Sequence, residues 1–395
     1  ARMASYVEEV RKQEPYVVLV DNGDTIQGNI MTDDLYNKRE GEHPVMRAMN
    51  LLEYDSMTLG NHEFNFGENL IKRIQTLANF PILSANLARV DGTMAAVPYT
   101  IIERGGLQIG IIGLTNPNAP RWDGEKTDPF IYAPVGPAAR RVVDIIKDKT
   151  DIIIVVSHVG IYPEYDEEGG SDGANSILAL CPEVDVLIVG HDHNAIKEIQ
   201  GTTVIGGARN LGREVIRIDL TLDEQKRIID RKIELVDMAN YENSDLIRKN
   251  AFIAEAHKAT RDFISGGAPS ADGKSSGGIF GKAAVNFQPK NEIAGIPEGK
   301  LRDTAVMDLI NDVQLLNSGA DVSAAALFAD TSDIPAGDIN YGTIFGIYKY
   351  DNTLYRVPVT GKELKAYMEW SAACYNQWVE GDVSISFNPA KPGYL

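Results

Sequence analysis

The sequence predicts an α/β protein of two domains, and three observations carry that prediction. Val17-Val18-Leu19-Val20, Ile152-Ile153-Ile154-Val155-Val156 and Val186-Leu187-Ile188-Val189 are uninterrupted, mostly β-branched runs of strand length, the mark of sheet strands covered on both faces. Helical spacing alternates with them, as in Val45, Ala48, Met49 and Leu52. Finally, 395 residues at 44% hydrophobic exceed one ordinary core, and the Gly/Ser-rich stretch from Ser265 to Gly278 is the clearest linker in the chain.

Taken in order, Met3 to Lys12 reads as a helix feeding a strand that ends at Asp21 and Asp24. Pro44 to Glu53 is a helix packed on the sheet before a short strand leading to Asn61. Phe80 to Leu87 is a further strand, with Asn86 at its tip as either a site residue or a turn-forming amide. Two apolar runs between Tyr99 and Thr115, parted by Gly105-Gly106, form a hairpin. Ala138 to Lys149 is an amphipathic helix running into the His158 strand. The acidic stretch from Tyr162 to Gly170 reads as a solvated surface loop, with a mobile lip over the site as the alternative, and Thr203 to Leu220 supplies two more strands. Ser244 to Phe263 is a long helix, followed by the linker. Beyond it, Tyr348 to Leu354 is an aromatic and polar loop between strand-like runs. The predicted divisions are 1–243, 244–278 and 279–395.

Chemistry gathers at the strand ends. Asp24, Asn61, His158, His191 and His193 all follow apolar runs, within the segments Asp21-Asn22-Gly23-Asp24, Gly60-Asn61-His62-Glu63, Ser157-His158 and Gly190-His191-Asp192-His193. In open α/β sheets the carboxyl ends of several strands converge on one crevice. Imidazole, carboxylate and amide ligands without thiolates suit zinc, manganese or iron in an open, catalytic site rather than a closed structural one.

These motifs, in this order, resemble the calcineurin-like metallophosphoesterases. Within that superfamily, Gly60-Asn61-His62-Glu63-Phe64-Asn65-Phe66-Gly67, Ser84-Ala85-Asn86-Leu87 and the C-terminal half resemble bacterial 2′,3′-cyclic-nucleotide 2′-phosphodiesterase/3′-nucleotidases. The resemblance implies a four-layer α/β/β/α sandwich, a linker helix and a smaller α/β nucleotidase C-terminal domain. It implies two divalent metal ions bridged by Asp24, one of them completed by Asn61, His158 and His191, the other including His193. His62 would sit over the substrate phosphate and stabilise or protonate the leaving oxygen, with one cation serving the nucleophile and the other the phosphoryl oxygens. Tyr350 matches the place of one aromatic ring of a pair that sandwiches the base; such stacking is worth about 1–3 kcal/mol per base.

Two departures from the family pattern stand out. The Asp-x-His motif expected on a first strand does not precede Ala1, and a second base-stacking ring would lie beyond Leu395, so the sequence reads as a piece shortened at both ends. Asn65 stands where related 5′-nucleotidases place an Asp beside the catalytic histidine. A neutral amide cannot balance an imidazolium, so this reading leaves His62 to the metals and the phosphate. Asn65, together with the lack of phosphate-directed arginines from Leu327 to Ser332, favours the cyclic-nucleotide branch.

Composition narrows the partners. Lys+Arg 38 against Asp+Glu 56 gives a net charge of −18, which argues against a nucleic-acid polymer or an anionic membrane surface. The expected partner is a small nucleotide. Cys181 and Cys374 make no disulfide framework, and no run is long and apolar enough to span a membrane. The resemblance implies a periplasmic or extracellular, cell-wall-associated location. The expected function is hydrolysis of 2′,3′-cyclic nucleotides to 3′-nucleotides and then to nucleosides. The alternatives are a 5′-nucleotidase, or a nucleotide-binding module made inactive by the missing motif.

Overall fold

A computed structural model describes residues 1–165, 172–266, 278–291, 298–300, 302–327, 329, 331–350 and 352–379. The chain forms two compact units, dividing at Arg261/Asp262.

The first unit is built on two sheets. Val20–Asp21, Ser56–Thr58 and Ile82–Leu83 form a parallel sheet in that order. The second sheet runs Ile196–Gln200, Thr203–Gly207, Val186–Val189, Ile152–Ser157, Leu107–Leu114, Tyr99–Arg104. Its four inner strands are parallel, and each outer strand is antiparallel to its neighbour.

The apolar runs fold as central strands because both of their faces find cover. Along Ile152–Ser157, Ile153 and Val155 join the cluster under the helices Val135–Ile146 and Asn175–Leu180. Ile152, Ile154 and Val156 face the other way, into a cluster with Leu83 and Val20 of the smaller sheet and with Val18 just before it. The two-residue period of a strand produces this division. On the far side of the smaller sheet, Met46, Met49, Ile71 and Ile74 of the helices Pro44–Leu51 and Glu68–Leu77 close a third cluster. Helices, sheet, sheet and helices therefore make the four predicted layers, each fully buried Ile or Val adding about 1.5–3 kcal/mol.

Three predicted elements are shorter or broken, for local reasons. The strand from Val17 pairs only at Val20–Asp21. Leu19 N–H donates instead to the Asp55 carboxylate at 2.8 Å, and the Val17 carbonyl accepts from Arg104 at 3.1 Å. The strand from Phe80 to Leu87 is interrupted after Ile82–Leu83, where Asn86 bonds to the backbone around it, and resumes as Leu87–Arg89. The helix from Ser244 divides into Asp245–Arg248 and Ala251–Ser265, with Asn250 Oδ1 accepting from Ile253 N–H at 3.2 Å to start the second piece.

The second unit holds a small antiparallel pair, Gly281–Ala283 with Gly337–Ile339, and the helices Ala305–Ser318, Tyr341–Ile347 and Gly361–Val379. Its core contains Ala283, Val306, Ile334 and Ile347. Most of the predicted linker, 267–277, and residues 166–170 of the predicted acidic loop lie outside the described residues, as do Phe328, Asp330 and Asp351.

Candidate metal centre

Four segments meet at the carboxyl ends of the parallel strands. Asp24 follows Val20–Asp21, Asn61 follows Ser56–Thr58, His158 follows Ile152–Ser157, and His191 follows Val186–Val189. Ligand atoms of Asp24, His158 and His191 all lie within 4.8 Å of one another. Asn61 joins them through its Oδ1, 3.0 Å from His191 Nδ1.

The backbone is bent to bring them together. Asp24, His191 and His193 have φ of +58°, +65° and +57°, a conformation that costs a non-glycine residue roughly 1–3 kcal/mol and clusters at functional sites. Asp24 also needs room. A Cβ on Gly60 would stand 2.2 Å from Asp24 Oδ1, and one on Gly23 would stand 2.3 Å from Gly60 N. The two glycines let the Asp24 and Asn61 loops touch.

Glu63 ties those loops together. It is fully buried, and its Oε2 accepts from Asp24 N–H at 2.8 Å and Gly60 N–H at 2.7 Å. Its Oε1 accepts from Thr25 N–H at 2.8 Å. Burial and the nearby Asp24 charge push the Glu63 carboxyl up to about 7, against the pull of these backbone donors. Asp24 Oδ1 in turn accepts from His62 N–H at 2.8 Å.

The donor set fits a divalent cation. His158 Nε2 is buried and 2.9 Å from Asp24 Oδ2, yet makes no hydrogen bond. Its other ring nitrogen is anchored, Nδ1 lying 2.5 Å from the Asn22 carbonyl. One ring nitrogen held by a backbone acceptor is how metal-ligating histidines are oriented, leaving the other nitrogen, here beside Asp24 Oδ2, for a cation. Before any cation is considered, burial opposes charge on both groups. The pairing prevails, holding the Asp24 carboxyl well below the usual range and raising His158 to about 9.

Comparison with known proteins follows the same division. The calcineurin-like phosphoesterase model matches residues 1–195, and the 5′-nucleotidase C-terminal domain model matches residues 281–393. The chain joins a calcineurin-like phosphoesterase domain to a 5′-nucleotidase C-terminal domain. It is 28% identical over its full length to the trifunctional nucleotide phosphoesterase protein YfkN of Bacillus subtilis, covering 29% of that protein. It is 27% identical over 95% of its length to a 2′,3′-cyclic-nucleotide 2′-phosphodiesterase/3′-nucleotidase of Haemophilus influenzae, covering 63%. The chain thus spans less than two thirds of these relatives. A Staphylococcus aureus protein crystallised with alpha-ketoglutarate shares the fold, with a TM-score of 0.75 and 23% identity over 95% of this chain and 71% of that one. Calcineurin-like phosphoesterases use divalent metals.

Within the phosphoesterase domain, the remaining sequence candidates occupy different positions. His62, partly buried, follows Asn61 at the start of a short 3-10 turn, His62–Phe64. Its Nδ1 is 2.6 Å from Asn65 Oδ1. His193 is exposed and stands outside the group of three, its Nδ1 3.3 Å from Asn210 Nδ2. Asn86 is buried and donates to the carbonyls of Thr115 and Ala133 at 2.8 and 2.9 Å, while its Oδ1 accepts from Thr115 N–H at 2.8 Å. Both amide hydrogens are thereby engaged in holding the chain turn. In the 5′-nucleotidase C-terminal domain, Tyr350 is half-buried, and its carbonyl accepts from Asn352 N–H at 3.0 Å.

Several residues around the centre escape a reading of the sequence alone. Glu63, Asn22, Trp122, Asp123 and Glu164 all touch the candidate ligands or His62's partner. Trp122 stacks on the His191 ring with centroids 5.1 Å apart, and Glu164 Oε2 lies 3.1 Å from His191 Nε2. A signal existed for Glu63, an acidic side chain inside a tight glycine–asparagine turn. Glu164 carried only its place in the acidic loop that the sequence allows as a lip over the site, and Trp122 carried none, because its role depends on a loop far from the motifs.

Proposed function

We propose that this chain is a divalent-metal-dependent phosphoesterase that opens the 2′ ester of 2′,3′-cyclic nucleotides and then removes the 3′ phosphate, leaving nucleoside. The observation that carries the reading is the convergence of Asp24, His158 and His191 at the strand ends, with Asn61 beside them. Asp24, Asn61, His158 and His191 would hold one ion, and Asp24 and His193 would contribute to a second. When bound there, divalent ions would supply charge stabilisation for the phosphoryl oxygens and a nucleophile at neutral pH. His62 stabilises or protonates the leaving oxygen, and Tyr350 stacks on the base. The names of relatives at 27–28% identity support the substrate class, and Asn65 in place of an acid is in keeping with it. The same reading carries a small nucleotide as partner and a location outside the cytoplasm; no described helix is long and apolar enough to cross a membrane.

A 5′-nucleotidase is the second reading, favoured by the family of the C-terminal domain. A time course of 2′,3′-cyclic AMP, 3′-AMP and 5′-AMP with manganese, for the chain and for His62→Ala, separates the two. The proposal expects 3′-AMP before adenosine, and loss of both steps in the variant. Turnover of 5′-AMP alone would transfer the assignment to the second reading. Nucleotide binding without any turnover would make the chain a binding module.

A further inference from the structure

The line of contacts from His62 does not end at Asn65. The Asn65 amide nitrogen donates to Asp123 Oδ1. Asp123 lies 58 residues away in sequence, at the end of the five-residue helix Ala119–Asp123. It is only 9% exposed, and its Oδ2 has no hydrogen-bond partner. A buried carboxylate with so little hydrogen bonding is costly and calls for an explanation.

We propose that Asp123 is a positioning residue: through Asn65 it holds the His62 ring with the proton on Nδ1, leaving Nε2 as the basic ring nitrogen directed to the reaction. Polarity decides the arrangement. An ionised carboxylate can only accept, and an asparagine side chain donates at its nitrogen and accepts at its oxygen. Asp123 therefore fixes which end of Asn65 faces it. The opposite amide orientation would set carbonyl oxygen against carboxylate oxygen in a buried place. With Asn65 Oδ1 turned to His62 at 2.6 Å, that oxygen can only accept, so Nδ1 must be the donor. Without Asp123 the amide could turn either way, and the ring could carry its proton on either nitrogen. Asp123 also supplies, one side chain further back, the negative charge that Asn65 lacks. Burial raises the Asp123 carboxyl above its ordinary value, while the Asn65 hydrogen bond and the charges of Lys126 and His62 favour the ionised form.

The catalytic part of this inference rests on the proposed phosphoesterase reading, but its first test does not. In the metal-free, substrate-free chain labelled with ¹⁵N-histidine, the His62 signals are identified by their loss in His62→Ala. The wild type should show a single Nδ1–H tautomer. Asp123→Asn, which preserves shape and removes the charge, should give a mixture of tautomers. The exchange variant carrying both Asn65→Asp and Asp123→Asn places the carboxylate directly on Nδ1 and should restore the single form. Turnover then follows the same order: outer partners of metal-ligating histidines are worth about 10–100-fold, and a loss on that scale is expected for His62. That loss should fall on kcat in Asp123→Asn, with KM within about threefold, and should be largely recovered in the exchange variant.

Wild-type tautomer signals in Asp123→Asn would overturn the proposal, as would an exchange variant no better than the product of its single changes. Circular dichroism spectra matching wild type confirm that each variant is folded; should Asp123→Asn not fold, Asn65→Ala removes the same link and must give the same tautomer mixture. If the tautomer pattern holds and no nucleotide is turned over, the phosphoesterase reading fails and the positioning role stands.

Discussion

Glu63 offers the sharpest energetic test of how the candidate centre is held. Its two oxygens are met on every side by backbone N–H groups, so above its raised pKa of about 7 an ionised, acceptor-only carboxylate fills the place. Glu63→Gln keeps the shape but must turn an NH₂ group toward one pair of those donors. In one orientation it faces Asp24 N–H and Gly60 N–H, which now reach Oε2 at 2.8 and 2.7 Å. In the other it faces Thr25 N–H at 2.8 Å and Ile26 N–H at 3.4 Å. Hydrogen bonds to a charged acceptor contribute about 1.5–3 kcal/mol each, so losing two costs about 3–6 kcal/mol locally. At 1.4 kcal/mol per factor of ten, that is roughly a hundred- to ten-thousand-fold loss of amide protection. Native-state hydrogen exchange on the alkaline side of that pKa, read by mass spectrometry on peptides spanning 20–27 and 58–65, measures it directly. Peptides from the strand Val186–Val189, which Glu63 does not touch, serve as an internal reference. Protection of the two loop peptides unchanged within tenfold would refute the idea that this carboxylate ties the Asp24 and Asn61 loops together.

Two further outcomes are expected. Gly60→Ala puts a methyl group against Asp24 Oδ1; manganese affinity measured by calorimetry should fall at least tenfold while far-UV circular dichroism stays unchanged. His43 is 1% exposed, donates from Nε2 toward Asn37 Oδ1 at 2.8 Å and precedes the helix Pro44–Leu51. Burial, with Arg73 nearby, lowers its pKa from 6.5 to about 3. The unfolded chain therefore binds the extra proton between pH 6.5 and 3. Stability from this group is complete above the unfolded value and falls by about 1.4 kcal/mol per pH unit as pH drops through that window. Urea titrations at about pH 7 and about pH 5, on either side of the unfolded value, should show His43→Gln, which keeps the Asn37 contact, losing less stability on acidification than wild type.

Much of the scaffold was legible because its cause is local. An apolar run such as Ile152–Val156 can be buried on both faces only as a central strand, and the residue that ends it must point out of the sheet. His158 and His191 declare themselves strand-end residues on that ground alone, and Gly105-Gly106 announces its hairpin between Tyr99–Arg104 and Leu107–Leu114. Strand lengths were less legible. Whether Leu19 joins a ladder depends on Asp55 and Arg104, side chains 36 and 87 residues from their backbone partners at Leu19 and Val17, and no window of sequence contains that competition.

The same distinction explains the reading of Asn65. Judged within its own segment, an amide beside His62 is a weaker partner than an acid, and His62 must look to external charge. Folding places the end of a short helix behind that amide, and a carboxylate 58 residues away completes the chain His62, Asn65, Asp123. The charge was present in the sequence all along, inside Arg121-Trp122-Asp123-Gly124. Nothing local marked it, since an Asp before a glycine is an ordinary turn signal. What separates it from an ordinary turn is burial without full hydrogen bonding, a property that exists only once the helix is packed. Residues that act on ligands through a second side chain are therefore the ones a motif omits, and here they are also the ones whose substitution should alter the chemistry of the site with the fold intact.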